Sequence, residues 1–240
     1  MANEGLKNLM FRQALQATSV VAKEALGTLR ITDDGRKFRY AKNGAAALVG
    51  GNAVMAPAVV AHHINMAVVA NVAAGKTSVT VTLGATAATE NLYAGGYLQV
   101  TAGANGIGMQ YKIASHPAAD ASATLTVQLD EPLVYALTNG THTVRLVHNQ
   151  FTGLVVATAV AQPAVGVTPC PVAANAYFWL QTGGVANVQQ TTTTALGGLI
   201  RADTAGRGAI VAAYTAPIIG YMLGVAATAE EASAVMLVID

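Results

Sequence analysis

The chain has 240 residues, a formal net charge of +1, and charged side chains at 10% of positions against 53% hydrophobic ones. That length supports one sizeable domain or two small ones. The near-zero charge excludes a global field drawing the chain to nucleic acid or an anionic membrane, so electrostatic recognition has to be local. The single cysteine, Cys170, excludes an intramolecular disulfide framework and a multi-cysteine metal cluster.

The first residues, MANEGLKNLM, lack the basic-then-apolar order of an export signal. Leu6, Leu9, Met10 and Leu15 recur at loosely helical spacing, so residues 1–27 read as an N-terminal arm, a short helix or an extended segment, able to lie against a neighbour. Two stretches without Asp, Glu, Lys or Arg, 43–75 and 208–229, outrun the thickness of a bilayer. Gly50, Gly51 and Pro57 break the first, Pro217, Gly220 and Gly224 the second, and both are rich in Ala, so no membrane insertion is expected.

The passage GTLRITDDGRKFRYAKNG, residues 27–44, concentrates five of the thirteen Lys and Arg: Arg30, Arg36, Lys37, Arg39 and Lys42. Asp-Gly between strand-like runs is a strong hairpin signal. With Asp34-Gly35 as a two-residue loop, Asp33 pairs with Arg36, Ile31 with Phe38, Arg30 with Arg39 and Leu29 with Tyr40. Leu29, Ile31, Phe38 and Tyr40 then form a core face, closed at the tip by an Asp33–Arg36 ion pair. The other face carries Thr28, Arg30, Thr32, Lys37 and Arg39 without an acid. A waiting anionic partner accounts for that face; so does a solvated face whose long side chains splay apart. A three-residue loop would shift all of these pairings.

Strand signals dominate from there. Val79, Val81 and Leu83 alternate with Ser and Thr in KTSVTVTLG, and Leu125, Val127 and Leu129 do so in ATLTVQLDEP. GGYLQVTAGANGIGMQYKIASHP reads as two strands about a glycine-rich turn, and THTVRLVHNQF sets Val144 and Leu146 on one face. The segment 76–150 is therefore predicted to be an inserted antiparallel subdomain between 28–75 and 151–240, which together form the main β domain. Further strands are predicted in GLVVATAV, YFWLQTGG, IIGYMLGV and SAVMLVID; the last is apolar on both faces and belongs in the middle of a layer. The fold class is all-β, an antiparallel sandwich or barrel with an N-terminal arm and a second, smaller antiparallel subdomain.

Motifs for catalysis are weak. AAGKTS has Ala70 where a phosphate-binding loop needs its first glycine, and a strand follows where a helix is required. GANGIG has the wrong glycine order for a dinucleotide site and suits a hairpin turn better. His62 and His63 are adjacent and diverge, while His116, His142 and His148 are scattered; each reads as a satisfied structural histidine. Asp33-Asp34, Asp130-Glu131 and Glu230-Glu231 sit at turn signals and do not converge as an acid/base pair must. Cys170, between two prolines in TPCPV, reads as an apolar loop residue. No enzyme activity, metal or cofactor is expected.

GTLRITDDGRKFRYAKNGAAALVGGNAV resembles a segment near the start of small virion proteins of tailed bacteriophages, in which a DGR-x-FRYA strand precedes an alanine-rich G-x-x-L-x-x-G turn. The resemblance continues in GGYLQVTAGANGIGMQYKIASHPA, FWLQTGG and IIGYMLGVAATAEEASAVMLVID, and departs at ATAEEASAV, where a glycine-containing turn would be usual. It is similar to capsid decoration, or cement, proteins. It implies a β-rich homo-oligomer, trimer first and dimer second, that binds the major capsid protein on the outside of the head, without nucleic acid or membrane as partner. The docking elements implied are Leu6, Leu9 and Met10 of the arm and Arg30, Lys37 and Arg39 of the hairpin. The alternative is a tail or fibre module that binds a host-surface glycan, which calls for clustered exposed aromatics in a chain only 5% aromatic.

Overall fold

Apolar residues at every second position decide where the strands fall. The structure, a computed structural model, describes residues 15–158, 163–191, 196–211, 217–225, 228 and 230–240; the arm residues Leu6, Leu9 and Met10 lie outside them. In chain order the strands are β1 (Leu29–Ile31), β2 (Lys37–Lys42), β3 (Ala53–Met55), β4 (Met66–Ala67), β5 (Ser78–Thr82), β6 (Tyr97–Ala102), β7 (Gln110–Ser115) and β8 (Thr124–Leu129). They continue as β9 (Thr143–Val147), β10 (Val155–Val156), β11 (Gly166–Val167), β12 (Tyr177–Gln189), β13 (Leu199–Ala202), β14 (Gly208–Ile210), β15 (Ile218–Met222) and β16 (Ala232–Val238). One 3₁₀ turn, Ala61–His63, is the helical content of the described residues, and none of their helices is long and apolar enough to cross a membrane. The fold is all-β, built from antiparallel strand pairs.

The chain divides into two compact units, 58–149 and the combination of 1–57 with 150–240. In 58–149 six strands follow the order β4-β9-β6-β7-β8-β5. The sheet comes close to closing on itself, because Val68 bridges Val81 and the Val69 amide donates to the Thr80 carbonyl at 2.9 Å. Val79, Val81, Leu125, Val127, Leu129, Val144 and Leu146 point inward, as their alternation predicts. The predicted start at residue 76 is too late. Met66 and Ala67 pair with Val144 and Thr143, and Val72 bridges Leu137, so residues 58–75 supply an edge this sheet needs. Such long-range pairings are invisible to a boundary drawn from local composition. The unit ends at Asn149, one residue before the predicted limit.

In the other unit β12 is the hub. Gly183 stands opposite Lys37 of β2 on one edge and Val238 of β16 on the other. The sheet runs β10-β3-β11-β12-β16-β15-β13-β14, and its last strand returns to the end of β12 where Gly208 bridges Gln190. Ala186, Val188, Ile200, Met222, Val235 and Leu237 pack inside this curl. Leu15 packs with Phe38, Tyr40 and Trp179, and Leu26 lies against the same cluster. Ser19 bridges Tyr177, so the described part of the arm lies on its own β12, where the sequence suggested a neighbour. Among its described residues GLVVATAV yields the two-residue β10. SAVMLVID sits between β12 and β15 as predicted, but only one of its faces is buried.

Candidate docking face

The β1–β2 hairpin turns through three residues, Asp33, Asp34 and Gly35, and not through two. The Thr32 amide donates to the Arg36 carbonyl and the Gly35 amide to the Thr32 carbonyl, both at 2.9 Å. Gly35 takes φ +81°, the left-handed conformation that the third loop position requires. Leu29 therefore stands opposite Arg39, Arg30 opposite Phe38 and Ile31 opposite Lys37. A slip of one residue sends every β1 side chain to the other face. Leu29 and Ile31, predicted to be core, are 42% and 52% exposed, while Arg30 shares the side of Phe38. The tip ion pair moves as well: Arg36 Nε donates to Asp34 Oδ2 at 2.8 Å, in place of the expected Asp33. The Thr32 hydroxyl bonded to Asp34, more than Arg36 itself, holds that carboxyl below its ordinary range.

The acid-free basic face is not formed. Arg30 donates to Glu24 at 2.6 Å and lies over the Trp179 ring, 5.3 Å from its centroid. Arg39 Nε donates to Asp240 Oδ2 at 2.6 Å, its Nη1 donates to the Gly27 carbonyl at 3.1 Å, and its guanidinium lies 5.6 Å from the Phe151 ring centroid. The Arg39 hydrogen bond, with the charges of Arg39 and Lys37, pushes the Asp240 carboxyl down. Lys37 runs its stem across Gly183, where an added Cβ would come within 3.1 Å of its Cδ. Lys42 Nζ lies over Tyr177 at 5.3 Å. Of the three predicted docking cations, Lys37 and Arg39 share one face and Arg30 lies on the other.

What lies beside Lys37 and Arg39 is apolar. Across the outside of the curled sheet Val185 stands opposite Met236, Met236 opposite Tyr221 and Tyr221 opposite Leu199. A parallel row runs Ile31, Lys37, Gly183, Val238. Val185, Tyr221 and Val238 are 44%, 46% and 49% exposed, and Met236 38%. The face is thus a band of apolar side chains crossing four neighbouring strands, with Lys37 and the Arg39–Asp240 pair at one margin. Gly184, at φ +75°, lets the hairpin tip approach this sheet, since a Cβ there would lie 2.9 Å from Arg36 Cα. Between the tip and β12 opens a groove of about 850 Å³ bordered by Leu15, Asp34, Arg36, Val185, Asn187 and Ala234. Contiguous exposed apolar area of this kind is typical of a surface that binds another protein.

Among the described residues the carboxylates at the turns are engaged singly. Glu131 accepts the Lys112 amide while Asp130 pairs with the Lys112 ammonium at 3.5 Å, and Glu230 meets Arg207 at 3.2 Å. Among the described residues no group of three or more His, Cys, Asp or Glu is placed to hold a metal ion. Cys170 is buried, and burial pushes its thiol up, away from a nucleophilic thiolate. Lys76 precedes the strand β5, not a helix.

The residues of the apolar band are the ones sequence reasoning passed over. Their signal was present in SAVMLVID, whose second apolar face was assigned to the interior because a both-sided pattern usually marks a doubly buried strand. Comparison with models of known protein families, with curated proteins and with solved structures finds no match to this chain.

Proposed function

We propose that this chain is a non-enzymatic structural protein of a virion, which binds the outside of a phage capsid through the exposed face of the β12–β16–β15–β13 sheet and stabilises the shell as a decoration protein. The observation that carries the reading is the exposed row Val185, Met236, Tyr221, with Val238 and Ile31 beside it. The family resemblance supplies the identity of the partner, the major capsid protein, and a homo-oligomer, trimer before dimer, as the assembled form. Burying such a face contributes about 1.5–3 kcal/mol for each fully covered Val, Leu or Met. Lys37, and Arg39 through exchange of its Asp240 partner, add charge pairing at the margin, where desolvation governs specificity more than affinity. Arg30 is better suited to fixing the arm through Glu24 than to docking.

Purified chain added to undecorated heads tests this. The wild type should co-sediment, and Met236→Glu with Val238→Glu should bind at least tenfold less while keeping the circular dichroism of the native fold, since both side chains point away from the core. Undiminished binding by this variant, or antibody labelling of virions at the tail, would overturn the reading. Tail labelling would favour a glycan-binding fibre module.

A further inference from the structure

All five histidines, His62, His63, His116, His142 and His148, fall in 58–149. Three are buried and have both ring nitrogens engaged, in each case once as donor and once as acceptor. His116 Nδ1 donates to the Pro117 carbonyl at 2.7 Å, and its Nε2 accepts the Tyr93 amide at 3.0 Å. His142 Nε2 donates to the Asn105 carbonyl at 2.8 Å, and its Nδ1 accepts the Thr138 amide at 2.9 Å. His63 Nε2 donates to the Thr86 carbonyl at 2.9 Å and its Nδ1 accepts the Tyr93 hydroxyl. A carbonyl only accepts and an amide only donates, so the tautomer of each ring follows from its partners.

A second proton turns the accepting nitrogen into a donor. At His116 and His142 that donor would face a backbone amide, which cannot reverse its role, so a buried hydrogen bond is lost. At His63 the Tyr93 hydroxyl could turn to accept, but its own proton would then need a new acceptor around a fully buried ring. The rings are also packed together: His63, His116 and His148 surround Tyr93 with centroids at 5.6, 5.8 and 4.7 Å. The ionisable groups whose rings meet in this cluster are His63, His116, His148 and the Tyr93 phenol, while His142 stands at Thr138 and Asn105. His62, on the same 3₁₀ turn, is exposed and bonds the Thr86 hydroxyl.

We propose that 58–149 is a proton-sensitive module, whose packing weakens on mild acidification while the other unit, without a histidine, keeps its own. Burial holds the His148 ring below the usual imidazole range, against one backbone hydrogen bond at Leu92 that acts the other way, and a proton on the neighbouring His63 would push it further down. The sign is consistent. A folded value below the unfolded value of about 6.5 means that the unfolded chain takes up the proton first. Stability is therefore complete above about pH 6.5 and declines as pH falls below it.

Hydrogen exchange on the full chain at pH 7.5 and 5.5, corrected for intrinsic exchange rates, tests the proposal, since carboxylates stay largely ionised across that interval. Protection of β5, β6, β7, β8 and β9 should fall roughly tenfold or more, as loss of one or more buried hydrogen bonds implies. Protection of β2, β12 and β16 should change less than about twofold, because the arginine–carboxylate pairs of that unit keep their charges over this range. In His116→Gln and His142→Asn, a side-chain carbonyl can accept the same amide without titrating, and the loss should shrink. Parallel loss in both units, no loss, or a selective loss that both substitutions leave unaltered would overturn the proposal. If the substitutions prevent folding, the wild-type comparison of the two units decides it.

Discussion

The two units are both antiparallel β structures, yet they fasten their polar groups differently. In 1–57 with 150–240 the cross-links are arginine–carboxylate pairs: Arg30–Glu24, Arg36–Asp34, Arg39–Asp240, and Arg207 with Asp203 and Glu230. In 58–149, beside the Lys112–Asp130 pair, they are imidazoles bonded to the Tyr93 hydroxyl, the Tyr93 amide and the Thr138 amide. An arginine pair persists until its carboxylate is protonated, whereas an imidazole that accepts an amide fails as soon as it takes a proton. The same class of sheet can thus carry different acid limits, set by which polar partners close its loops.

The largest expected effects should separate the units sterically. A Cβ at Gly96 would lie 2.1 Å from the Val147 carbonyl oxygen, and one at Gly220 2.2 Å from that of Met236. Gly96→Ala and Gly220→Ala should each cost about 3 kcal/mol or more, as forced backbone shifts in packed sheets do. Hydrogen exchange should report the loss in 58–149 for the first and in the other unit for the second; an equal loss across both units from either would erase the distinction.

Tyr93→Phe is expected to cost less, about 1–3 kcal/mol, by leaving the buried His63 Nδ1 without its donor. The same phenol sets an alkaline limit. Burial pushes it up to about 12, so the unfolded chain, ionising near 10, gives up its proton first and stability declines as pH rises between those values. Chemical denaturation at pH 8 and 11 should show this decline in wild type, and Tyr93→Phe should lessen it.

The smallest effect should come from Asp240→Asn, which removes the Arg39 pair. Both side chains are partly exposed, at 26% and 32%, so the change in stability should be no more than about 1 kcal/mol. Because the Asp240 carboxyl is held low, its contribution is present above about pH 4 and vanishes as pH falls through the folded value. A wild-type advantage over the variant that persisted at pH 2 would show that the pair is not its source.

Much of the fold was legible because strand burial follows local alternation. Val79, Val81, Leu125 and Val127 could be placed inward from their neighbours alone, and the glycine-rich turn after β6 was where it was expected, with Gly103, Gly106 and Gly108 at positive φ. The candidate site was less legible. Arg39 meets an acid 201 positions away, which no inspection of residues 27–44 can anticipate. The final hairpin shows the same limit: Glu230 adopts φ +68°, a conformation for which the sequence offers no glycine cue.

By itself the sequence determined the class of structure, the strand alternation and the gathering of every histidine into one segment, since these depend on composition and on neighbours within a few residues. Tertiary structure alone decided the hairpin register, the acids that neutralise Arg30 and Arg39, and which face of β16 stays exposed. Each of those depends on which distant strand lies alongside, and a shift of a single residue in that pairing exchanges inside for outside.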